Sequence, residues 1–428
     1  MNLITDPTKS VGNPNNPSHT AGTTFFGQFI DHDTTFDTSS KLGVSTEPSS
    51  SPNSRTPSLD LDSVYGEGPS SSAQLYDPAD RAKLRISSGG IFEDLARDAA
   101  GTGIVPDPRN DENMMINGLQ CAFILFHNRA VDEARADGAT SWRDAYGRAR
   151  RLTTWHYHWL VLNEFLPQVV GQSLVNDVLA SGARFYRPKS GQGFMPVEFQ
   201  GAAYRFGHSM VRPSYRANLK GDGGSAFFGM VFDPSGDGQS DPVDLRGGAR
   251  APRRFIGWQT FFAFDTEVKP NKKIDTRIST PLFNLPLGAI ASGDQPQVLP
   301  QRNLLRQLTW SLPSGQSLAA AMGEPALSSA DLADLQPYGF ESSTPLWYYC
   351  LKEAELLRDG LTLGPVGGRI VAEVLIGLMK SDPTSYLARQ PNWTPTANGA
   401  GGSFRMTDFL TYARVDPTSR HAAQPAFA

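Results

Sequence analysis

Apolar residues recur at three- and four-residue steps over several stretches of this chain, the period of a helix with one buried face. The clearest stretch is about 111–136, where Glu112, Ile116, Leu119, Phe123, Phe126 and Ala130 share a face. A second covers about 142–166, with Pro167 expected to end it. A third covers about 197–211 and stops at Pro213, which puts Arg205 and His208 on one face with Gly201, Tyr204 and Val211. Residues 23–33, TTFFGQFIDHD, read as a short helix, and further helices are expected near 302–309, 317–322, 345–358 and 369–380. Residues 1–22 read as an arm, 38–58 as loop and 216–252 as hairpins or loops, while SLDLDSVYG alternates and reads as extended. The last 45 or so residues look irregular. The pattern predicts a mainly α fold with long loops and few short strands.

Composition changes this picture little. The 428 residues are 39% hydrophobic, enough to bury a substantial core, and length alone would allow two or three domains. The 39 Lys+Arg and 43 Asp+Glu leave a net charge of -4, so no nucleic acid and no anionic membrane is expected as partner. The 41 Gly and 32 Pro fit many turns. Two cysteines, Cys121 and Cys350, allow at most one bridge, and neither lies in a CxxCH haem-attachment pattern. The first ten residues lack the form of a secretory signal, and no apolar run is long enough for a membrane span. The expectation is a cytoplasmic protein or one exported by a leaderless route.

Four groups carry candidate chemistry. In FGQFIDHD, Gln28 and His32 lie one helical turn apart with Asp31 beside them, and a histidine suits proton transfer near neutral pH. The competing reading is a helix with a capping, solvated acidic cluster. In DPRNDEN, Arg109 and Glu112 share a face at three-residue spacing, although acidic residues there also suit a helix start. In AAYRFGHSMVRP, Arg205 and His208 are flanked by Gly201 and Gly207, which make room for something flat and bulky or for a helix crossing. In TPSLDLD, Thr56, Ser58, Asp60 and Asp62 alternate; with Asp33 they offer the oxygen set a calcium ion prefers, or simply a polar edge. A weaker calcium candidate is DPSGDGQSDPVD, 233–244, at roughly EF-hand offsets but without helical flanks.

Together these segments resemble the animal haem peroxidase family, the myeloperoxidase and lactoperoxidase group, in the right order along the chain. FGQFIDHD is similar to the distal helix motif, and DPRNDEN followed by FHNRAVDEAR to the distal arginine segment. RRLTTWHYHWLVLNEFLP, YRFGHSMVRP and RNLLRQLTWSLPSG are similar to the NEFLP helix, the proximal histidine motif and the proximal asparagine segment. The resemblance covers about 20–320, and more loosely the helices up to 380. It implies one haem peroxidase domain over 1–428: an arm (1–22), a haem- and calcium-binding core (23–320), and C-terminal helices and tail (321–428). Haem b would lie between the distal and proximal helices.

By this resemblance Gln28, His32 and Arg109 match the distal catalytic residues. His208 matches the proximal iron ligand and Asn303 its hydrogen-bond partner, expected to accept the Nδ1 hydrogen. Arg205 and Arg306 match basic residues near the haem propionates. Asp31 and Glu112 match carboxylates that form ester bonds to haem in many members. Asp33, Thr56, Ser58, Asp60 and Asp62 match the calcium site, with Asp62 standing where mammalian members usually have serine. Asn113 occupies the place of the methionine that makes a sulfonium link, so that bond cannot form. The short N-terminal region and the missing cysteines resemble a microbial member. The implied activity is peroxidation: hydrogen peroxide oxidises small organic substrates, halides or thiocyanate, a chemistry suited to the response to oxidative stress. The nearest alternative is a fatty-acid dioxygenase of the same superfamily, whose radical-forming tyrosine stands three residues before the proximal histidine; here Arg205 fills that place and Tyr204 precedes it. A non-catalytic haem-binding protein and a haem-free helical scaffold are the remaining readings.

Overall fold

The computed structural model describes residue 4 and residues 13–88, 92–290, 293 and 295–423. At its centre lies α1 (Gly22–Thr34), in which every residue except Gln28 and Asp31 is buried. Such burial needs apolar residues on all sides, and Phe25, Phe26, Phe29 and Ile30 supply them. The preceding arm is partly strand: β1 (Asn15–Thr20) pairs antiparallel with a short strand at Pro270–Lys272. The sequence expectation for residues 1–3 and 5–12 lies outside the described residues.

The periodic stretch at 111–136 forms α2 (Met114–Ala136), which starts later than expected because Asn113 caps it, its Oδ1 accepting the Ile116 N–H at 3.0 Å. The residues before it, Pro108–Asp111, make a 3₁₀ turn capped by Asp107. α2 packs on α1 through Phe123, whose ring stacks on Phe29 at 4.3 Å. The next helix, α3 (Trp142–Leu160), does not end at Pro167. It passes through a π-helical turn at Val161–Phe165 into Leu166–Val170, and Pro167 sits in the first turn of that piece, where a missing N–H is tolerated.

The third expected helix is broken into pieces. α4 (Val197–Gly201) stops at Ala202 (φ -141°, ψ -70°), a 3₁₀ turn covers Ala203–Phe206, and α5 (Gly207–Met210) carries His208. Gly201 and His208 therefore do not share a helical face. A Cβ at Gly201 would meet the Trp310 ring at 2.9 Å, so Gly201 admits a tryptophan, whereas a Cβ at Gly207 would meet nothing within 4 Å.

A hairpin follows, β2 (Ser214–Asp222) with β3 (Ser225–Met230), turned by Gly223 and Gly224 at positive φ. Later helices after the hairpin include α6 (Leu299–Thr309), α7 (Gly315–Met322), α8 (Leu346–Arg358) and α9 (Pro365–Ser381). The C-terminal segment is less irregular than expected, with helices at Tyr386–Arg389, Met406–Tyr412 and Pro417–Ala423. Nor is SLDLDSVYG extended. Leu61 is left-handed (φ 60°) and Asp62–Tyr65 form a helical turn, which folds Asp60 and Asp62 back toward Asp33. Among the described residues no helix is long and apolar enough to cross a membrane.

Candidate active site

A cavity of about 350 Å³ opens between α1 on one side and α5 with α6 on the other. Gln28, Asp31, His32, Arg109, Glu112, Asn113, Arg205, His208, Arg302 and Arg306 all line it, together with apolar walls from Val231, Phe232, Leu282 and Ile290. Segments more than 270 residues apart in sequence thus meet at one place, since Gln28 and Arg306 both line it.

On the α1 side, the His32 ring is buried and its Nδ1 lies 2.8 Å from Asn110 Oδ1. Burial, reinforced by the Arg109 charge, lowers its pKa from 6.5 to about 4, so the imidazole is neutral at physiological pH. Arg109 does not reach loosely into the cavity. Asp107 grips it through Nε (3.0 Å) and Nη2 (2.7 Å), and Nη2 also donates to the Thr35 carbonyl at 2.6 Å. Its guanidinium lies 4.4 Å from the Phe36 ring centroid, and Nη1 is 3.6 Å from Asp31. Burial pushes the Asp107 carboxyl up, but Arg109 overcomes this and holds it at about 2.

Glu112 accepts a short hydrogen bond from Gln28 Nε2, and Asn113 Nδ2 donates to Gln28 Oε1 at 3.3 Å. Gln28 is thereby spanned between two residues at the start of α2. Burial raises the Glu112 pKa to about 8, so its carboxyl is largely protonated at neutral pH. Asp31 is about a third exposed and accepts the Thr35 hydroxyl at 2.9 Å.

On the facing side, burial and then the Arg205 charge lower His208 to about 3, leaving a neutral ring suited to a metal. Asn303 meets Nδ1 at 2.8 Å, but with its amide nitrogen rather than the expected oxygen. The oxygen is turned to Arg205 Nη1 at 3.2 Å, and Arg205 Nε donates to the Gln200 carbonyl at 2.8 Å. The Arg205 cation is therefore committed to the His208–Asn303 pair, not only to the cavity. Arg306 pairs with Asp37 and donates to Ser40 Oγ at 2.6 Å. Tyr204 also lines the cavity, and its hydroxyl donates to the Gly27 carbonyl of α1 at 3.1 Å.

The acidic cluster forms beside α1. Carboxylate oxygens of Asp33, Asp60 and Asp62 lie within 4.8 Å of one another. Burial, with mutual repulsion, raises Asp33 and Asp60, the latter to about 7; burial also raises Asp62. Charge of this kind asks for a cation, and three carboxylates gathered from α1 and the 60–62 turn match calcium's oxygen preference. Thr56 contributes its N–H to Asp62 at 2.9 Å, while the Ser58 hydroxyl turns to Asp382 at 3.3 Å. The 233–244 loop is different. Arg246 takes Asp237 and Asp244, and Arg253 takes Asp241, so arginines occupy three of the four carboxylates that a cation would need.

Sequence reasoning missed Asp107 and Asn110, which hold Arg109 and His32 from the same 3₁₀ turn. It also missed Arg55, which bonds Asp107 (3.0 Å) and Asp62 (3.4 Å) and so links the acidic cluster to Arg109. The D-P-R-N spacing was visible, but no periodicity marks a residue whose partner is 78 positions away. Of the remaining histidines, His19, His127, His156 and His158 are buried and hydrogen-bonded away from the cavity; the side chain of His421 lies outside the described residues.

The fold is a helical, peroxidase-like one. Residues 39–225 match the animal haem peroxidase family model. It is 26% identical over 224 residues to human probable oxidoreductase PXDNL, a match covering 46% of this chain and 15% of that protein's length. In fold it is similar to peroxidase A from Dictyostelium discoideum (TM-score 0.67, 15% identity, 96% of this chain and 87% of that one). It is also similar to the fatty acid alpha-dioxygenases of Arabidopsis thaliana (TM-score 0.60, 16% identity, 99% and 75%) and, with palmitic acid, of Oryza sativa (TM-score 0.63, 13% identity, 99% and 79%).

Proposed function

We propose that the chain is a haem-dependent peroxidase that uses hydrogen peroxide to oxidise a small reducing substrate, organic or halide-like. The observation that carries this reading is the convergence of His32 and Arg109 on the cavity wall facing the Asn303-braced His208. The donor set fits haem: a neutral His208, open space at Gly207, apolar walls, and the cations of Arg205, Arg302 and Arg306 in the lining, whose charge would draw carboxylate groups. When bound, haem supplies the redox centre at which peroxide is reduced. His208 would hold the iron through Nε2. On the opposite wall, His32 Nε2 takes the first peroxide proton and returns it to the departing oxygen. Arg109 Nη1 donates to the negative charge that develops there. Asp33, Asp60 and Asp62, with oxygens of Thr56 and Ser58, would hold calcium and so brace the turn of α1 that carries His32.

The second reading, a fatty-acid dioxygenase, is favoured by one observation: the Tyr204 phenol stands in the cavity wall. Against it, the position three before His208 holds Arg205, bonded to Asn303. An absorption spectrum of haem-reconstituted protein before and after peroxide, with a panel of phenols and halides, tests the first reading. Oxygen uptake with a fatty acid and no peroxide tests the second. Turnover in the second assay alone overturns the peroxidase reading.

A further inference from the structure

Asn110 is fully buried, and its side chain sits between His32 and two acceptors. Its Nδ2 donates to Gln120 Oε1 at 2.9 Å and to the Ser63 carbonyl at 3.4 Å. Gln120 Nε2 also faces the Ser63 carbonyl, at 3.4 Å. A backbone carbonyl accepts and never donates. It therefore draws both amide nitrogens toward itself, which leaves Gln120 Oε1 for Asn110 Nδ2, and Asn110 Oδ1 for His32. Turning the Asn110 amide would set its oxygen against the Ser63 carbonyl and its nitrogen against His32. The polarity of the chain is thus anchored at Ser63, whose hydroxyl in turn donates to Asp33 Oδ1 at 3.1 Å.

We infer that Asn110 is a positioning residue for the distal base: by accepting the His32 Nδ1–H at 2.8 Å, it fixes the tautomer that leaves Nε2 bare toward the cavity. Without this acceptor the ring is free to carry its hydrogen on Nε2, where it cannot take a proton from peroxide. The inference rests on the peroxidase reading for its catalytic meaning, but the tautomer itself does not.

The test uses the full chain labelled with ¹⁵N-histidine, with His32 signals assigned by their loss in His32→Gln. Wild type is expected to show hydrogen on Nδ1 and none on Nε2. Asn110→Leu is expected to lose that fixed tautomer, and Asn110→Asp, which keeps an acceptor, to retain it. Gln120→Leu keeps the test available if Asn110→Leu does not fold, since it loosens the polarity anchor without touching His32; the Nδ1–H signal should weaken. In the haem-loaded protein, Asn110→Leu should slow the reaction with peroxide on the order of 100-fold, with the reducing substrate's KM unchanged and Asn110→Asp restoring the rate. A wild-type His32 protonated on Nε2, or a tautomer unmoved by Asn110→Leu, overturns the inference. Absence of peroxide turnover with the tautomer as expected overturns the peroxidase reading instead.

Discussion

Asp107 binds Arg109 side-on, Oδ1 to Nε at 3.0 Å and Oδ2 to Nη2 at 2.7 Å, and so leaves Nη1 as the nitrogen nearest Asp31 and the cavity. Two parallel bonds to a planar guanidinium fix its direction as well as its place. Asp107→Ala should take the nearest carboxylate from both Arg109 and Arg55, leaving each with a more distant one, Asp31 and Asp62. The expected cost is about 3–5 kcal/mol in urea denaturation, together with loss of the fast reaction with peroxide. Arg109→Lys should not restore activity, because an ammonium cannot match the two carboxylate oxygens side-on. Full activity in Arg109→Lys would count against this account.

Calcium should stabilise the protein by neutralising Asp33, Asp60 and Asp62. A cation at 100 times its dissociation constant contributes about 2.7 kcal/mol. Chelation should therefore lower the thermal midpoint and disturb the haem spectrum through His32, the neighbour of Asp33. Asp60→Asn should reduce the calcium-dependent rise in midpoint. A midpoint and spectrum insensitive to chelator would exclude a structural role for the ion.

The proximal pair invites a different substitution. For Nε2 of His208 to face iron, Nδ1 must donate, which turns Asn303 so that its oxygen faces the ring and its nitrogen faces Arg205. Arg205 opposes that turn by presenting a donor to the same amide. Arg205→Leu should remove the opposition, strengthen donation from His208 and lower the iron reduction potential. Spectroelectrochemistry checks the sign. Asn303→Leu should shift the potential upward.

Covalent attachment is expected after exposure to peroxide, through Asp31 and the protonated Glu112. Acid–acetone extraction should then leave haem on the protein, and the double variant Asp31→Asn, Glu112→Gln should release it. Complete release from wild type would show that no ester forms.

Acid should weaken the fold through its buried histidines. His19, His127 and His156 fall from 6.5 to about 4 by burial. Between those values the unfolded chain binds more protons than the folded one, so stability is full above pH 6.5 and falls toward pH 4. Each contributes at most about 3 kcal/mol. Buried acids such as Glu164 and Glu353, raised to about 7, act in the opposite direction over that range. His127→Gln isolates one histidine: its denaturation midpoint should fall less steeply with pH than that of wild type.

The sequence by itself determined where the buried faces lie. The 3.6-residue period marked α2, α3 and the long helices after the hairpin, because burial on one side leaves a repeating trace; α1, buried nearly all round, was legible only as a short apolar segment. It also supplied the residue types in FGQFIDHD, DPRNDEN and YRFGHSMVRP that converge on the cavity. It missed the break at Ala202 and the passage through Pro167, since a π turn and a change of backbone dihedrals leave the apolar spacing almost intact. What only the tertiary structure decided was hydrogen-bond polarity. Whether His32 gives or takes at Nδ1 depends on a carbonyl at Ser63, and which end of Asn303 meets His208 depends on Arg205. Such partners are distant in sequence and follow no period. Donor and acceptor roles are set by direction in space, and a linear pattern of residue types carries no direction.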